Sequence, residues 1–273
     1  MTRPLIAAAK PRAALPVMLG VPALLGLLLL LLPLGGLLIR APWRGLPRLL
    51  SEPTVAQALG LSLRAAAAAT TLALLLGVPL AWVLARLSFP GRRLLRALVT
   101  LPLVLPPVVG GLALLVVFGR RGVLGPLLDS ALGISLPFTT SAVVLAETFV
   151  AMPFLIVTVE GALSSGDQRA EEAAATLGSR PWTTFWRVTI PQIGPSIAAG
   201  AVLCCARALG EFGATITFAG NLPGTTQTMP LAVYIALERD PEAAIALALV
   251  LLALSVVILV VLRERWLRPG TSS

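Results

Sequence analysis

Arg207 and Glu211 stand four residues apart inside the apolar run from Ile193 to Ala219. That spacing puts both on one face of a helix, where they suit an intrahelical ion pair. At about 1.5 Å per residue, Arg207 lies about 20 Å from the start of the run. A charge at that depth costs about 2.5–3.5 kcal/mol on insertion scales, so protein or water must surround it. The chemistry open to the pair is anion attraction, facing a polar pathway or a subunit interface, or the plain locking of helix packing. Thr215 follows on the same stretch and is grouped with it as a pathway residue. Arg64 falls near the outer end of another apolar run, Val55 to Leu87. Its stem can snorkel to the interface, or its charge can face the interior and attract an anion. Within Thr139 to Leu163, Glu147 lies deep and needs a partner, whereas Glu160 is expected near a solvated end. Pro106 and Pro107, with Pro102, Gly110 and Gly111, interrupt the run Leu94 to Phe118. Such residues are tolerated in lipid where neighbours repair the backbone or where the helix lines a cavity. A kinked, pathway-lining helix and ordinary close packing both fit.

A second set of residues has the makings of a docking surface. Between two apolar runs the chain turns polar at EEAAATLGSRPWTTFWRVTIP, Glu171 to Pro191. Asp167 is placed to cap a helix whose first turns hold Glu171 and Glu172, where carboxylates meet the positive end of the helix dipole. Ala173 to Ala175 have the highest helix propensity, and Gly178 supplies the left-handed residue that ends a helix. Ser179 then caps a second helix with Pro181 in its first turn and Trp182, Phe185 and Trp186 as its apolar face, closed by Pro191. Two short helices joined by a glycine form a knob whose small side chains let another protein's backbone come close.

The elements that position these residues follow from composition. Of 273 residues, 57% are hydrophobic and 12% charged, too apolar for a soluble domain of this size. An all-α, polytopic membrane protein of about six transmembrane helices results, with spans at about 17–39, 55–87, 94–118, 139–163, 193–219 and 243–262. Residues 1–16 form an N-terminal tail, 164–192 the knob-bearing loop, and 263–273 a basic tail. The first span reads as a retained signal anchor rather than a cleaved signal peptide, because its apolar core is long and no small-x-small site follows. Gly119 to Phe138 is expected as an outer loop with a partly re-entrant segment, and Leu222 to Glu242 as another outer loop. Six spans leave thirteen Lys/Arg on the face that carries the knob and both termini, against six opposite. That face is therefore cytoplasmic. The net charge of +9 comes from residues scattered through short loops, which argues for membrane orientation and not for nucleic acid.

Much chemistry is excluded by what is missing. There is no histidine, which removes the usual zinc, haem and general-base roles. Neither a nucleophile elbow nor a phosphate-binding GxxxxGK[ST] loop occurs, so any ATP that drives this chain is bound by another. The two cysteines, Cys204 and Cys205, are adjacent in an apolar run and read as packing residues.

Glu172, Ala173 and Ala174, then Gly178, then Val188, Ile190 and Pro191, resemble the EAA loop of ABC importer permeases. The spacing agrees throughout, with Val and Ile standing where the pattern has Ile and Leu. LPLVLPPVVGG at Leu101 to Gly111 and RALGEFGATITFAGN at Arg207 to Asn221 are similar to segments of permeases for molybdate, tungstate and sulfate or thiosulfate, more so to the molybdate branch. The resemblance covers most of the chain from Val55 onward. It implies a type I importer membrane domain in the cell membrane, multi-pass, with both termini cytoplasmic and with no catalytic site or metal of its own. Partners so implied are a second copy of the chain, two cytoplasmic ATPase subunits that bind ATP and Mg, an extracytoplasmic molybdate-binding protein, and membrane lipid. Glu171, Glu172, Ala173, Ala174, Leu177, Gly178, Ile190 and Pro191 would form the coupling loop, and Arg64, Pro106, Pro107, Arg207, Glu211 and Thr215 the pathway. The alternatives are a sulfate or thiosulfate permease, or a transporter driven by an ion gradient with Glu147 and Glu211 as its membrane carboxylates. An intramembrane enzyme is disfavoured by the missing motifs.

Overall fold

The computed structural model of the protein describes residues 17–266. Two compact units divide the chain, residues up to Ala41 and residues from Pro42. The first contains α1 (Val17–Ile39), a leucine-rich helix of 23 residues. At about 1.5 Å per residue it is about 35 Å long, enough for a hydrocarbon core of about 30 Å.

The second unit is helical throughout, with no strand among the described residues. In chain order it holds α2 (Leu46–Leu50), α3 (Pro53–Arg86), α4 (Arg92–Val104), α5 (Pro107–Phe118), α6 (Gly125–Leu132) and α7 (Thr140–Ser165). Next come α8 (Arg169–Thr176), α9 (Pro181–Thr184), a π-helical turn (Phe185–Thr189), α10 (Ile190–Leu209), α11 (Gly213–Phe218), α12 (Met229–Arg239) and α13 (Pro241–Trp266). Five helical stretches among the described residues are long and apolar enough to cross a membrane, and six if the bent pair α4–α5 counts as one.

The core lies where α3, α7 and α10 meet. Ala66, Ala69, Ala73 and Ala81 make a buried stripe on α3 against Ala151, Leu155, Ile156 and Val159 of α7 and Cys204 and Ala208 of α10. In lipid no hydrophobic force drives apolar helices together, so association relies on close packing, which small side chains permit. The alanine run that marks α3 in the sequence is thus a packing seam. Both cysteines are free, Cys204 buried and Cys205 half-buried.

Two expected spans are broken. The 94–118 run is two helices, α4 and α5, bent by 118°. Leu105 and Pro106 are both extended, with ψ of 134° and 130°. Each precedes a proline, whose ring disfavours the helical conformation at the residue before it. The 193–219 run ends its first helix at Leu209, and Gly210 to Phe212 separate α10 from α11. The two breaks meet, because α5 crosses α11 at bare backbone. A Cβ on Gly111 would stand 2.7 Å from the Ala214 carbonyl oxygen, and one on Gly213 would stand 2.8 Å from Cβ of Pro107.

The stretches expected as loops also hold helices, α6 within 119–138 and α12 within 222–242. Beyond the α5 end the chain doubles back, with the Val123 and Leu124 amides donating to the Val116 and Val117 carbonyls. Near the C-terminus α13 runs on to Trp266, past the start of the expected tail at 263. Of the two expected tails, residues 1–16 and 267–273 lie outside the described residues.

Arginines close the helix ends near the knob. The last carbonyls of a helix have no partner within it and mark the negative end of its dipole. Ala85 and Leu84 at the end of α3 accept from Arg92 (3.2 Å) and Arg96 (3.4 Å), and Leu163 at the end of α7 accepts from Arg86 (2.9 Å).

Candidate functional site

The knob begins where Asp167 accepts the Arg169 amide at 3.0 Å, although Gln168 and not Asp167 takes the cap position of α8. Glu171 and Glu172 occupy the first turn of α8. After α8 the chain turns on Gly178, whose φ of +79° only glycine adopts without strain. The Gly178 and Ser179 amides return to the Ala175 and Ala174 carbonyls at 3.0 Å each, closing the helix end.

Downstream the expectation needs correction. Ser179 does not cap the next helix. Its hydroxyl accepts from Thr184, and Arg180, extended ahead of Pro181, takes the cap position. Nor does Pro191 close the unit. It lies in the first turn of α10, and the chain runs from α9 through the π-helical turn into α10 without a stop. A proline inside a helix clashes with the carbonyl four residues earlier. The turn before Pro191 is widened, with the Ile190 amide reaching back five residues to Phe185, which relieves that clash.

Adjacent positions on a helix point about 100° apart, so Glu171 and Glu172 face different ways. Glu172, Ala173 and Gly178 are exposed, Leu177 is 87% exposed, and Pro191 is exposed as well. Ala174 and Ile190 are half-buried. Leu177 thus stands clear of the rest of the chain. Glu171 turns inward. Its Oε1 accepts from Arg86 Nη2 at 3.0 Å and from the Thr189 hydroxyl at 2.9 Å. Beside the knob, Trp82, Trp182, Phe185 and Trp186 form an aromatic cluster with centroids 5.4–6.2 Å apart. Together with α3 they border an apolar groove of about 420 Å³.

The charges inside the spans form a second group. Arg207 and Glu211 pair at 2.6 Å. The pair is not intrahelical, because Glu211 stands in the break after α10, where its Oε1 accepts the Ala214 amide of α11 at 2.7 Å. Its side chain is 1% exposed. Glu147 of α7 is equally buried, lies within range of the Glu211 charge, and leaves Oε2 without a partner. The Thr215 hydroxyl is buried without a partner on α11, and Pro107 abuts Gly213. Glu147, Pro107, Arg207, Glu211 and Thr215 therefore converge where α5, α7, α10 and α11 meet. Pro106 is exposed at the α4–α5 break. Arg64 is exposed and donates to its own helix at the Gly60 carbonyl, 3.0 Å away.

Glu160 is corrected too. It is not solvated but 8% exposed, and it pairs with Arg96 of α4. Arg86 and Thr189 went unmarked in the sequence, Arg86 counting only as one of the charges on the knob's face. An arginine as the last residue of a long helix was the available signal. Among the described residues no group of His, Cys, Asp and Glu is placed to hold a metal.

Residues 73–272 match the family model described as binding-protein-dependent transport system inner membrane component. The chain is 48% identical over 248 residues to the molybdenum transport system permease protein ModB of Mycobacterium bovis, covering 91% of this chain and 94% of that one. It is 37% identical to a probable sulfate transport system permease protein, cysT, of Zygnema circumcarinatum, covering 89% and 85%. Among solved structures it superposes with TM-score 0.70 on a chain of a bacterial alginate ABC transporter in complex with alginate pentasaccharide-bound periplasmic protein. That match has 19% identity and covers 92% of this chain and 93% of the other.

Proposed function

The chain belongs to the binding-protein-dependent transport system inner membrane components, and on that premise we propose that it passes an oxyanion, molybdate or tungstate, across the cell membrane into the cytoplasm. It would do so as one of two identical permease subunits, with an extracytoplasmic binding protein delivering the anion. Two ATPase subunits on the inner side would bind ATP and Mg and supply the energy. The observation that carries this is the knob itself, with Glu172, Ala173, Leu177 and Gly178 presented outward and Glu171 anchored inward. A ligand moves a conformational equilibrium only through different affinities for its two states. ATP-driven closure of the ATPases must therefore act through a loop they grip, and this chain offers one such surface.

Molybdate is favoured over sulfate by the higher identity to the molybdenum permease, 48% against 37%. Arg207 does not argue for an anion by itself, since Glu211 neutralises it. Its role here is to hold the α10–α11 break beside the pathway, with discrimination left to the binding protein. Glu147 and Glu211 invite the ion-gradient reading, but membership in a binding-protein-dependent family supports ATP drive instead.

The test is uptake into vesicles holding this chain with its ATPase and binding protein. Molybdate uptake that requires ATP, with excess sulfate competing weakly, is the expected result. Uptake undiminished without nucleotide, or no ATPase seated on the loop, would overturn the proposal.

A further inference from the structure

Arg86 ends α3 with a guanidinium whose two terminal nitrogens do different work. Nη1 donates to the Leu163 carbonyl at the end of α7 at 2.9 Å, and Nη2 donates to Glu171 Oε1 on α8 at 3.0 Å. The same carboxylate oxygen accepts the hydroxyl of Thr189, which is 1% exposed in the π-helical turn that leads into α10. One ion pair thereby ties α8 to the ends of α3 and α7 and to the turn that leads into α10, and these three helices form the core. It is well shielded, its side chains 10% and 17% exposed. Charge-assisted hydrogen bonds are about twice as strong as neutral ones, and a planar fork holds two acceptors at a fixed angle. A second tie, from the Gln192 side-chain amide to the Asp167 carbonyl at 2.9 Å, keeps the knob's two ends together.

We propose that Arg86, through Glu171 and Thr189, is the positioning residue that carries force from the knob into the transmembrane core, distinct from the outward residues that the ATPase touches. This rests on the reading of the chain as an ATP-driven permease. The geometry divides α8 between two tasks, since Glu172, Ala173 and Leu177 face away from the body while Glu171 faces it. Without the latch, a gripped α8 would be joined to the core helices only through the chain at its two ends and the Gln192 tie. With it, displacement of α8 must move the ends of α3 and α7 and turn the start of α10.

The experiment uses the full complex in vesicles with Arg86→Lys, Glu171→Gln and their combination, reading ATP hydrolysed, molybdate imported, and ATPase subunit retained on purification. Both single variants should retain the ATPase subunit as wild type does, while anions imported per ATP fall about tenfold, the scale of one charge-assisted hydrogen bond. The double variant should fall no further than the worse single one, because both residues act through one contact. If both charge variants fail to accumulate, Thr189→Val, which removes one bond to the same carboxylate, decides by a smaller loss of the same kind. Unchanged import per ATP in the variants that accumulate overturns the latch. So does loss of the ATPase subunit, which would make these residues part of the gripped surface. Failure of the permease reading would appear earlier, as a wild-type complex that imports without ATP.

Discussion

Glu211 holds Arg207 with one carboxylate oxygen and the Ala214 amide with the other, at 2.6 Å and 2.7 Å. One side chain thus joins the end of α10 to the start of α11. Removing Arg207 leaves a carboxylate that is 1% exposed with no counter-charge. Arg207→Ala is expected to lower unfolding stability by about 3 kcal/mol, the scale seen when one member of a buried pair is deleted. Arg207→Gln with Glu211→Gln should recover most of that, because no buried charge is stranded. Thermal unfolding in detergent with the single and double variants checks both.

The Arg96–Glu160 pair makes a contrast. Here the arginine side chain is 43% exposed and can return to water when its partner is lost. Glu160→Gln should cost only about 0.5–1 kcal/mol. A loss as large as that of Arg207→Ala would mean that the pair is more deeply enclosed in the assembled complex.

Leu177, 87% exposed, has little to lose within this chain. Leu177→Ala is expected to leave stability within about 0.5 kcal/mol of wild type. If the knob docks on an ATPase subunit, the same change should weaken that complex by about tenfold, as truncation of a buried interface anchor does. Titration of labelled ATPase against the permease in nanodiscs measures it, and unaltered affinity counts against the docking surface.

Gly178→Asp combines a left-handed φ of +79° with a new charge on the exposed knob. The strain costs about 1–2 kcal/mol locally, and membrane insertion should be normal. ATP hydrolysis coupled to transport should be lost, and Glu172→Lys should lose it without the strain. Reconstituted vesicles with normal coupling in Glu172→Lys would assign that residue to the solvated surface.

Gly111→Ala places a methyl group 2.7 Å from the Ala214 carbonyl. The α5–α11 crossing must open, at about 1–3 kcal/mol. A lower melting temperature and faster cleavage by protease within 105–125 are the expected readouts.

How much of this was legible in the sequence depended on the range of the cause. Gly178, the alanines of α8 and the apolar runs act through neighbours a few positions away, and their spacing gave the knob and the membrane character. The break at Leu105–Pro106 was half legible. Adjacent prolines foretold a kink, but the 118° bend answers to α11 packing beside it. Spacing alone placed Arg207 and Glu211 on one helix, and they do pair, yet the helix ends between them because Glu211 serves the next helix. The Arg86–Glu171 contact spans 85 positions and the Arg96–Glu160 contact 64, so no local pattern could announce either. Glu160 is enclosed for the same reason, its partner arriving from α4.

The widened turn Phe185–Thr189 carries one residue more than a regular α-helical ladder requires. Because the bulge absorbs that residue, the faces on either side of it keep the register of a regular helix, and deleting it would leave the aromatic flank facing α3 while bringing Pro191 against the carbonyl four residues earlier. A deletion in the regular ladder of α10 has no such buffer and would turn everything before it by about 100°, carrying Glu171 away from Arg86. The connection thus tolerates a change of length in its widened turn and not in the helix that follows.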